Sequence, residues 1–167
     1  MKLDLNKKIS KYYNKKQAES YELQRNNPIW KSETEVFNKI KRKFIEKYNK
    51  RIDILDIPVG TGRWIPHVND IASKYVGVDV SQNMLDEAKL KLKNCPDEFI
   101  KNVKLINSSV AKLPLNKVES FDLIISTRFL PHFSISEIKN IMNVLKVYAK
   151  NDLIVSVRVA DNKLSIF

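Results

Sequence analysis

Only one cysteine, Cys95, occurs in 167 residues, so no disulfide can form within the chain. With two histidines, His67 and His132, no close Cys/His cluster has the spacing of a zinc site, and no metal is expected. No apolar run approaches the ~20 residues that a membrane-spanning helix needs, and the lysine-rich start lacks the apolar stretch of a secretory signal. The sequence therefore predicts a cytoplasmic protein of reducing conditions without a membrane partner. Glycine is scarce as well: all three glycines lie between positions 60 and 77, which concentrates the glycine-dependent turns in one place. Internal repeats and low-complexity tracts are absent, so the chain reads as a single succession of elements.

What is present suits one globular domain. Hydrophobic residues make up 43% and charged residues 29%, the balance of a chain that buries a core. The formal charge of +11 is uneven: residues 1–51 hold 15 Lys+Arg against 6 Asp+Glu, whereas the rest is nearly balanced. A basic segment of this kind can meet nucleic acid or another polyanion. Since 24 of the 30 basic residues are lysine, a solvated lysine-rich face is the competing reading.

The first helix is expected within Asn6 to Gln24, with a turn at Asn26-Asn27-Pro28. Ser32 and Glu35 have capping-box spacing, and Val36, Phe37, Ile40, Phe44, Ile45 and Tyr48 recur on one face of a second helix. Arg51 to Ile57 reads as a buried strand, and Gly60-Thr61-Gly62 turns the chain into a helix beginning near Arg63. A strand over Tyr75 to Val80 leads to a helix capped by Ser81, with Met84, Leu85, Ala88 and Leu92 as its apolar stripe. Strands follow over Val103 to Asn107 and Phe121 to Ser126, the latter almost wholly apolar, as at the centre of a parallel sheet. Ser134 and Glu137 form a second capping box before a helix with Ile138, Ile141, Met142, Leu145 and Tyr148 inward, and Asp152 to Ala160 supplies the last strand. This alternation predicts an α/β fold: a doubly wound, mostly parallel sheet of about five strands with N-terminal helices. Residues 1–50 form a helical cap and residues 51–167 the core of the same single domain.

In such sheets a ligand binds beyond the carboxyl ends of the strands, where strand order reverses. The run Asp56-Ile57-Pro58-Val59-Gly60-Thr61-Gly62 falls there, and Asp79 ends the next strand 17 residues after Gly62. Glycines let the backbone approach a ligand where a Cβ would collide, and a carboxylate one strand over can accept hydrogen bonds from both hydroxyls of a ribose. Together they describe an adenosine-ribose site. Binding of NAD is disfavoured, because the third glycine of a G-x-G-x-x-G pattern would fall on Ile65.

The segments ILDIPVGTGRW, YVGVDVSQNMLDEAK and FDLIISTRFLPHF resemble, in order and spacing, the first, second and fourth motifs of the class I S-adenosylmethionine-dependent methyltransferases. The resemblance extends over about Tyr21 to Ala160 and implies S-adenosyl-L-methionine as the cofactor. Residue by residue, it places Asp56 as the first motif's acid, with Pro58 in the position of the usual first glycine, Val59 beside it, and Gly60 and Gly62 as the second and third glycines. It makes Asp79 the ribose-binding acid and sets Val80 and Met84 near the adenine. Ser109, followed by Val110, stands where relatives often carry an adenine-binding Asp. Ser126, Thr127, Arg128, Phe129 and His132 would then border the methyl-donor pocket. In the leading segment, which in this family often folds over the site, Tyr21 would close over the sulfonium and Arg25 would hold the methionine carboxylate, with packing of the N-terminal helices as the alternative.

Methyl transfer from a sulfonium is an in-line displacement, in which alignment does much of the work and a base is needed only if the acceptor keeps its proton. His132 is the strongest base candidate, with capping or packing at the start of the following helix as its alternative. Arg128 suits an acidic acceptor or a carboxylate, and equally a loop anchor. His67 and Cys95 read as packing residues. The fourth strand is not followed by the Asn/Asp-Pro-Pro-aromatic motif of amino-methylating nucleic-acid enzymes, and Cys95 lies far from the place of a cytosine-attacking nucleophile. Transfer to an O or N atom of a small molecule is therefore favoured. RNA or protein methylation comes next, and a non-catalytic S-adenosylmethionine-binding subunit or a cofactor-degrading enzyme stands as the alternative of another class. The family usually adds a helix and two strands after the fifth strand, whereas here only seven residues follow Ala160. The last strand is thus expected at a sheet edge, where Leu153 to Val157 would be covered by a second copy in a homodimer, by a partner subunit, or by the N-terminal helices.

Overall fold

The computed structural model describes Ser20, residues 28–113 and residues 119–156. Ser20 is helical; the rest of the helix expected over Asn6–Gln24 lies outside the described residues, as do Tyr21, Arg25 and the chain beyond Ser156. The elements, numbered here in chain order, are α1 (Pro28–Tyr48), β1 (Ile52–Asp56), α2 (Ile65–Val68), β2 (Ala72–Asp79), α3 (Gln82–Leu92), α4 (Asp97–Ile100), β3 (Val103–Asn107), β4 (Phe121–Ser126), α5 (Ile135–Tyr148) and β5 (Ala149–Val155). Short 3₁₀ turns occupy Val110–Lys112 and Leu130–His132.

All five strands pair in parallel in the order β3-β2-β1-β4-β5. The chain thus winds outward from β1 through β2 and β3, returns to the other side of β1 as β4, and winds outward again as β5. The order reverses between β1 and β4. Their apolar sequences follow from that central position: every residue of β4 is buried, and so is β1 apart from half-buried Asp53. Asp122, an acid inside this apolar strand, sits near the register shift between β4 and β5. There it accepts the Asp53 N–H at 3.1 Å and the Asn151 amide at 3.1 Å. The edge strands β3 and β5 are only partly buried. Among the described residues β5 is an edge, as its place in the sequence predicts.

Two apolar layers cover the sheet. One gathers Phe37, Ile54, Trp64, Ile65, Tyr75, Leu85 and Phe99, and the other Leu55, Val76, Ile124, Leu130, Ile141 and Leu145. Each large side chain of this kind stabilises the fold by about 1.5–3 kcal/mol when fully buried.

The helix caps at Ser81 and Ser134 form as expected. Ser81 accepts from the Met84 N–H, and Ser134 shares a complete capping box with Glu137. Elsewhere the boundaries differ from the sequence reading. Ser32 and Glu35 do not open α1: the helix starts at Pro28, whose fixed φ suits a first turn, and the Ser32 hydroxyl donates back to the Pro28 carbonyl at 3.2 Å. The helix after the glycine turn starts at Ile65, with Pro66 in its first turn where the missing N–H needs no partner, and lasts a single turn to Val68. Strand β2 starts at Ala72 rather than Tyr75, and β5 starts at Ala149 rather than Asp152, directly after the last residue of α5.

Candidate functional site

Sheet register brings the motif residues to one end of the fold. Asp56, the last residue of β1, lies level with Gly77 of β2 and Ile125 of β4. Asp79 ends β2 and Ser126 ends β4, so Asp56, Asp79 and Ser126 cluster at the carboxyl ends of three adjacent strands, at the reversal of strand order.

Asp79 is 6% exposed, and its carboxylate is oriented by backbone donors on both sides: the Gly60 N–H reaches Oδ2 at 2.9 Å and the Ser81 N–H reaches Oδ1 at 2.8 Å. Each oxygen keeps a lone pair for a further donor. Burial raises its pKa to about 6, against the pull of the hydrogen bonds from Ser81, Gly60 and Val80. The Asp79 carbonyl holds the end of β3, accepting from the Ser108 N–H at 2.9 Å and the Asn107 amide at 3.2 Å.

Asp56 is wholly buried. The Tyr75 hydroxyl donates to its Oδ2 at 2.6 Å, whereas Oδ1 has no partner among the described residues. Burial raises the Asp56 pKa to about 8; Tyr75 opposes this rise and the charge of Asp79 adds to it. The Ser126 hydroxyl on the neighbouring strand is likewise buried and without a partner among the described residues. Unpaired buried polar atoms are costly, so two of them on adjacent strand ends point to a ligand that brings its own donors and acceptors.

The turn between β1 and α2 supplies the opening. Its Ile57–Pro58 peptide bond is cis, and Val59 is buried, its N–H donating to the Val78 carbonyl at 2.9 Å. Gly60 and Gly62 both have positive φ, +54° and +73°, but they differ in surroundings. A Cβ on Gly60 would meet nothing within 4 Å, so space is open in front of it. A Cβ on Gly62 would fall 2.7 Å from Ile65 Cδ1 and 3.0 Å from Ala88 Cα, so this glycine lets α2 and α3 pack together. The two should separate on substitution. Gly62→Ala is expected to destabilise the fold by about 2–5 kcal/mol through left-handed strain and overpacking. Gly60→Ala should cost only the strain, about 1–2 kcal/mol, while weakening ligand binding by more than that. Melting curves beside calorimetric titrations check this; equal binding losses in the two variants would reject the distinction.

The other expected residues fall around this centre. Val80 is half-buried, and Met84 is buried in the first turn of α3. Ser109 precedes the 3₁₀ turn without capping it, and Val110 packs partly against the second apolar layer. Thr127 Oγ1 accepts the Trp64 indole N–H at 2.9 Å, which ties the loop after β4 to the glycine turn. His132 is exposed in the turn after β4 and makes no described side-chain hydrogen bond; the cap of α5 belongs to Ser134 instead. His67 packs against Phe37 and Trp64, and half-buried Cys95 contacts Asn69 and the Lys91 carbonyl.

A group that sequence reasoning did not assemble joins α1 to this end of the sheet. The Arg128 guanidinium lies 3.6 Å from the centre of the Trp30 ring, and the Arg63 guanidinium lies 4.4 Å from Trp30 and 4.3 Å from Trp64. Trp64 in turn stacks on Phe37 with ring centres 4.1 Å apart. Glu33 accepts from both arginines, and Arg63 also donates to the Trp30 carbonyl at 2.8 Å. Cation–π contacts of this sort are worth about 0.5–2 kcal/mol each, so α1 is fixed in place over the turn and the β4 loop. The adjacency of Arg63-Trp64 to the glycine turn was the one sequence signal for it.

A model of the methyltransferase domain family matches residues 54–151. The demethylmenaquinone methyltransferase of Lactococcus lactis subsp. lactis (strain IL1403) is 35% identical over 101 residues, which cover 57% of this chain and 38% of that protein; the chain thus spans well under half of the curated relative's length. Among solved structures, magnesium protoporphyrin IX methyltransferase from Synechocystis PCC 6803 with bound SAM superposes with a TM-score of 0.66 at 16% identity, over 90% of this chain and 74% of that one. The DhpI–SAH complex superposes with a TM-score of 0.60 at 17% identity, over 84% and 62%. At these identities the structural likeness speaks for the fold.

Proposed function

Because the chain belongs to the class I S-adenosylmethionine-dependent methyltransferase family, we propose that it transfers a methyl group from S-adenosylmethionine to an O or N atom of an acceptor, a small molecule before RNA or protein. The observation that carries the reading is the cluster at the strand reversal: the ordered carboxylate of Asp79, the unpartnered Asp56 Oδ1 and Ser126 Oγ, and the open space before Gly60. These residues fit the group. Asp79 offers two oxygens to a ribose diol, Val80 and Met84 flank the adenine side, and Asp56 leaves its unpaired carboxyl oxygen Oδ1 to a ligand donor. When bound, S-adenosylmethionine supplies an electrophilic methyl carbon on its sulfonium. His132 takes the proton from an acceptor that keeps one until transfer. The loop Ser126–Arg128, held by the Trp64–Thr127 bond, orients the acceptor against the donor.

The basic N-terminal segment suits a nucleic-acid partner less than its charge suggests. Within α1 and just after it, Lys41 pairs with Asp70, Lys47 with Asp152 and Arg51 with Glu98. No helix among the described residues is long and apolar enough to cross a membrane, and a cytoplasmic location remains part of the proposal. So does cover for the open β5 edge by a second copy or a partner subunit.

The direct test is incubation with labelled S-adenosylmethionine and a cell extract split into nucleic-acid, protein and metabolite fractions. S-adenosylhomocysteine with labelled metabolite is the expected product. Other adenosine products would mean cofactor breakdown, and binding without turnover would mean a non-catalytic subunit.

Cofactor affinity should also follow the ionisation of Asp79. Ribose hydroxyls donate to the carboxylate form, so a proton competes with the ligand. With a pKa of about 6, S-adenosylhomocysteine should bind about tenfold more weakly at pH 5 than on a plateau above pH 7. Asp79→Asn should lose this step; a wild-type profile flat from pH 5 to 7 would contradict the assignment.

A further inference from the structure

Arg128 leaves β4 in a backbone conformation that its surroundings hold firmly. Its φ is +56°, in the left-handed region that favours glycine. Its N–H donates to the Ser156 hydroxyl at 2.6 Å, and the Ser156 N–H donates to the Ser126 carbonyl at 3.3 Å, so the end of β5 fixes the loop. The side chain is fixed as well. Its guanidinium lies on the Trp30 ring, and Nε and Nη2 reach one oxygen of Glu33, Oε2, at 3.1 and 3.0 Å. The third nitrogen, Nη1, has no partner among the described residues, and the side chain is 30% exposed. A strained, oriented and half-open guanidinium at a functional end of the sheet calls for a reason beyond packing. Glu33 alone does not supply one: the same oxygen also serves Arg63, and its side chain is 33% exposed, which is the setting of a weak ion pair.

We infer that Arg128 determines acceptor specificity by seating an oxyanion of the methyl acceptor, a carboxylate or phosphoryl group, on the guanidinium edge that Glu33 leaves open. The inference rests on the methyl-transfer reading above. The planar fork of arginine suits such groups, the Trp30 ring below it excludes water from one face, and its place two residues after Ser126 sets it beside the strand reversal. In the absence of acceptor, Glu33 supplies the counter-charge; with acceptor bound, Glu33 keeps the guanidinium aligned.

The methionine carboxylate of the cofactor offers the same chemistry, so the test separates the two sources. The full chain, Arg128→Met and Glu33→Gln are titrated calorimetrically with S-adenosylhomocysteine, with its decarboxylated analogue, and with inorganic phosphate in the presence and absence of saturating S-adenosylhomocysteine. In Arg128→Met, phosphate affinity should fall by about tenfold or more, with both nucleosides binding as in the wild type. Glu33→Gln, which keeps an acceptor oxygen but removes the competing charge, should bind phosphate more tightly than the wild type. Phosphate binding that is absent from the wild type, or equal in Arg128→Met, overturns the seat. A loss confined to S-adenosylhomocysteine and spared in its decarboxylated analogue places Arg128 on the cofactor and overturns it too. If Arg128→Met does not fold, unchanged phosphate affinity in Glu33→Gln decides against the proposal. Failure of the wild type to bind S-adenosylhomocysteine strikes the cofactor reading instead, and the phosphate titrations without nucleoside still judge the anion seat.

Discussion

His132→Ala should slow methyl transfer by about 10²–10⁴ while leaving cofactor affinity nearly intact, the loss expected for a positioned general base. The expectation follows from where His132 stands. It lies six residues past the end of β4, in the 3₁₀ turn Leu130–His132, with an exposed side chain that neither caps α5 nor donates to a described neighbour. Leu130, two residues earlier, is buried at 4% exposure, and the His132 N–H donates to the Phe129 carbonyl at 3.2 Å, so the turn is anchored although the imidazole is open to a ligand. Removing an exposed ring from such a turn should barely change stability. Single-turnover rates over pH 5–9, with a melting curve as control, check the point. A mutant as fast as the wild type across that range would remove His132 from the mechanism.

Asp79→Ala should weaken S-adenosylhomocysteine binding by about 10- to 150-fold, the equivalent of about 1.5–3 kcal/mol of charge-assisted hydrogen bonding. Stability should fall as well, because the Gly60 and Ser81 N–H groups both lose their acceptor. Asp79→Asn is the useful companion: its amide retains one acceptor oxygen for the backbone, so its binding loss reads the ligand contact more cleanly. Calorimetry on both variants below their melting temperatures decides; unchanged affinity in a folded Asp79→Ala protein would sink the ribose assignment.

How much of this was visible in the chain itself depends on how local each feature is. Strands β3 and β4 have the expected boundaries because each is a short β-rich run with polar residues on both sides. The caps at Ser81 and Ser134 are legible in the same way, since a cap is settled within four residues. Asp79 fell at the end of β2 because the distance from the glycine turn leaves room for one short crossover. The misplaced starts of α1, β2 and β5 have another cause. Proline at a helix start competes with a capping serine four residues on, and a strand that begins directly after the last residue of a helix leaves no loop to mark the boundary. The bond from Tyr75 to Asp56 and the sharing of Glu33 by Arg63 and Arg128 had no local signature at all. Glu33 and Arg128 are 95 positions apart, and only the winding of the sheet brings them together.

The stack of rings and guanidiniums between α1 and the sheet has an optical consequence. The chain contains two tryptophans, Trp30 and Trp64, and both are members of that stack, one on α1 and the other on the glycine turn. Each indole lies against a cation, and Trp64 also faces Phe37. Tryptophan emission, excited selectively over the six tyrosines, therefore originates wholly from this corner of the molecule. Any event that lifts α1 or shifts the loop after β4 changes the polarity around both emitters at once, so the native chain carries its own label for such movements and needs no attached dye.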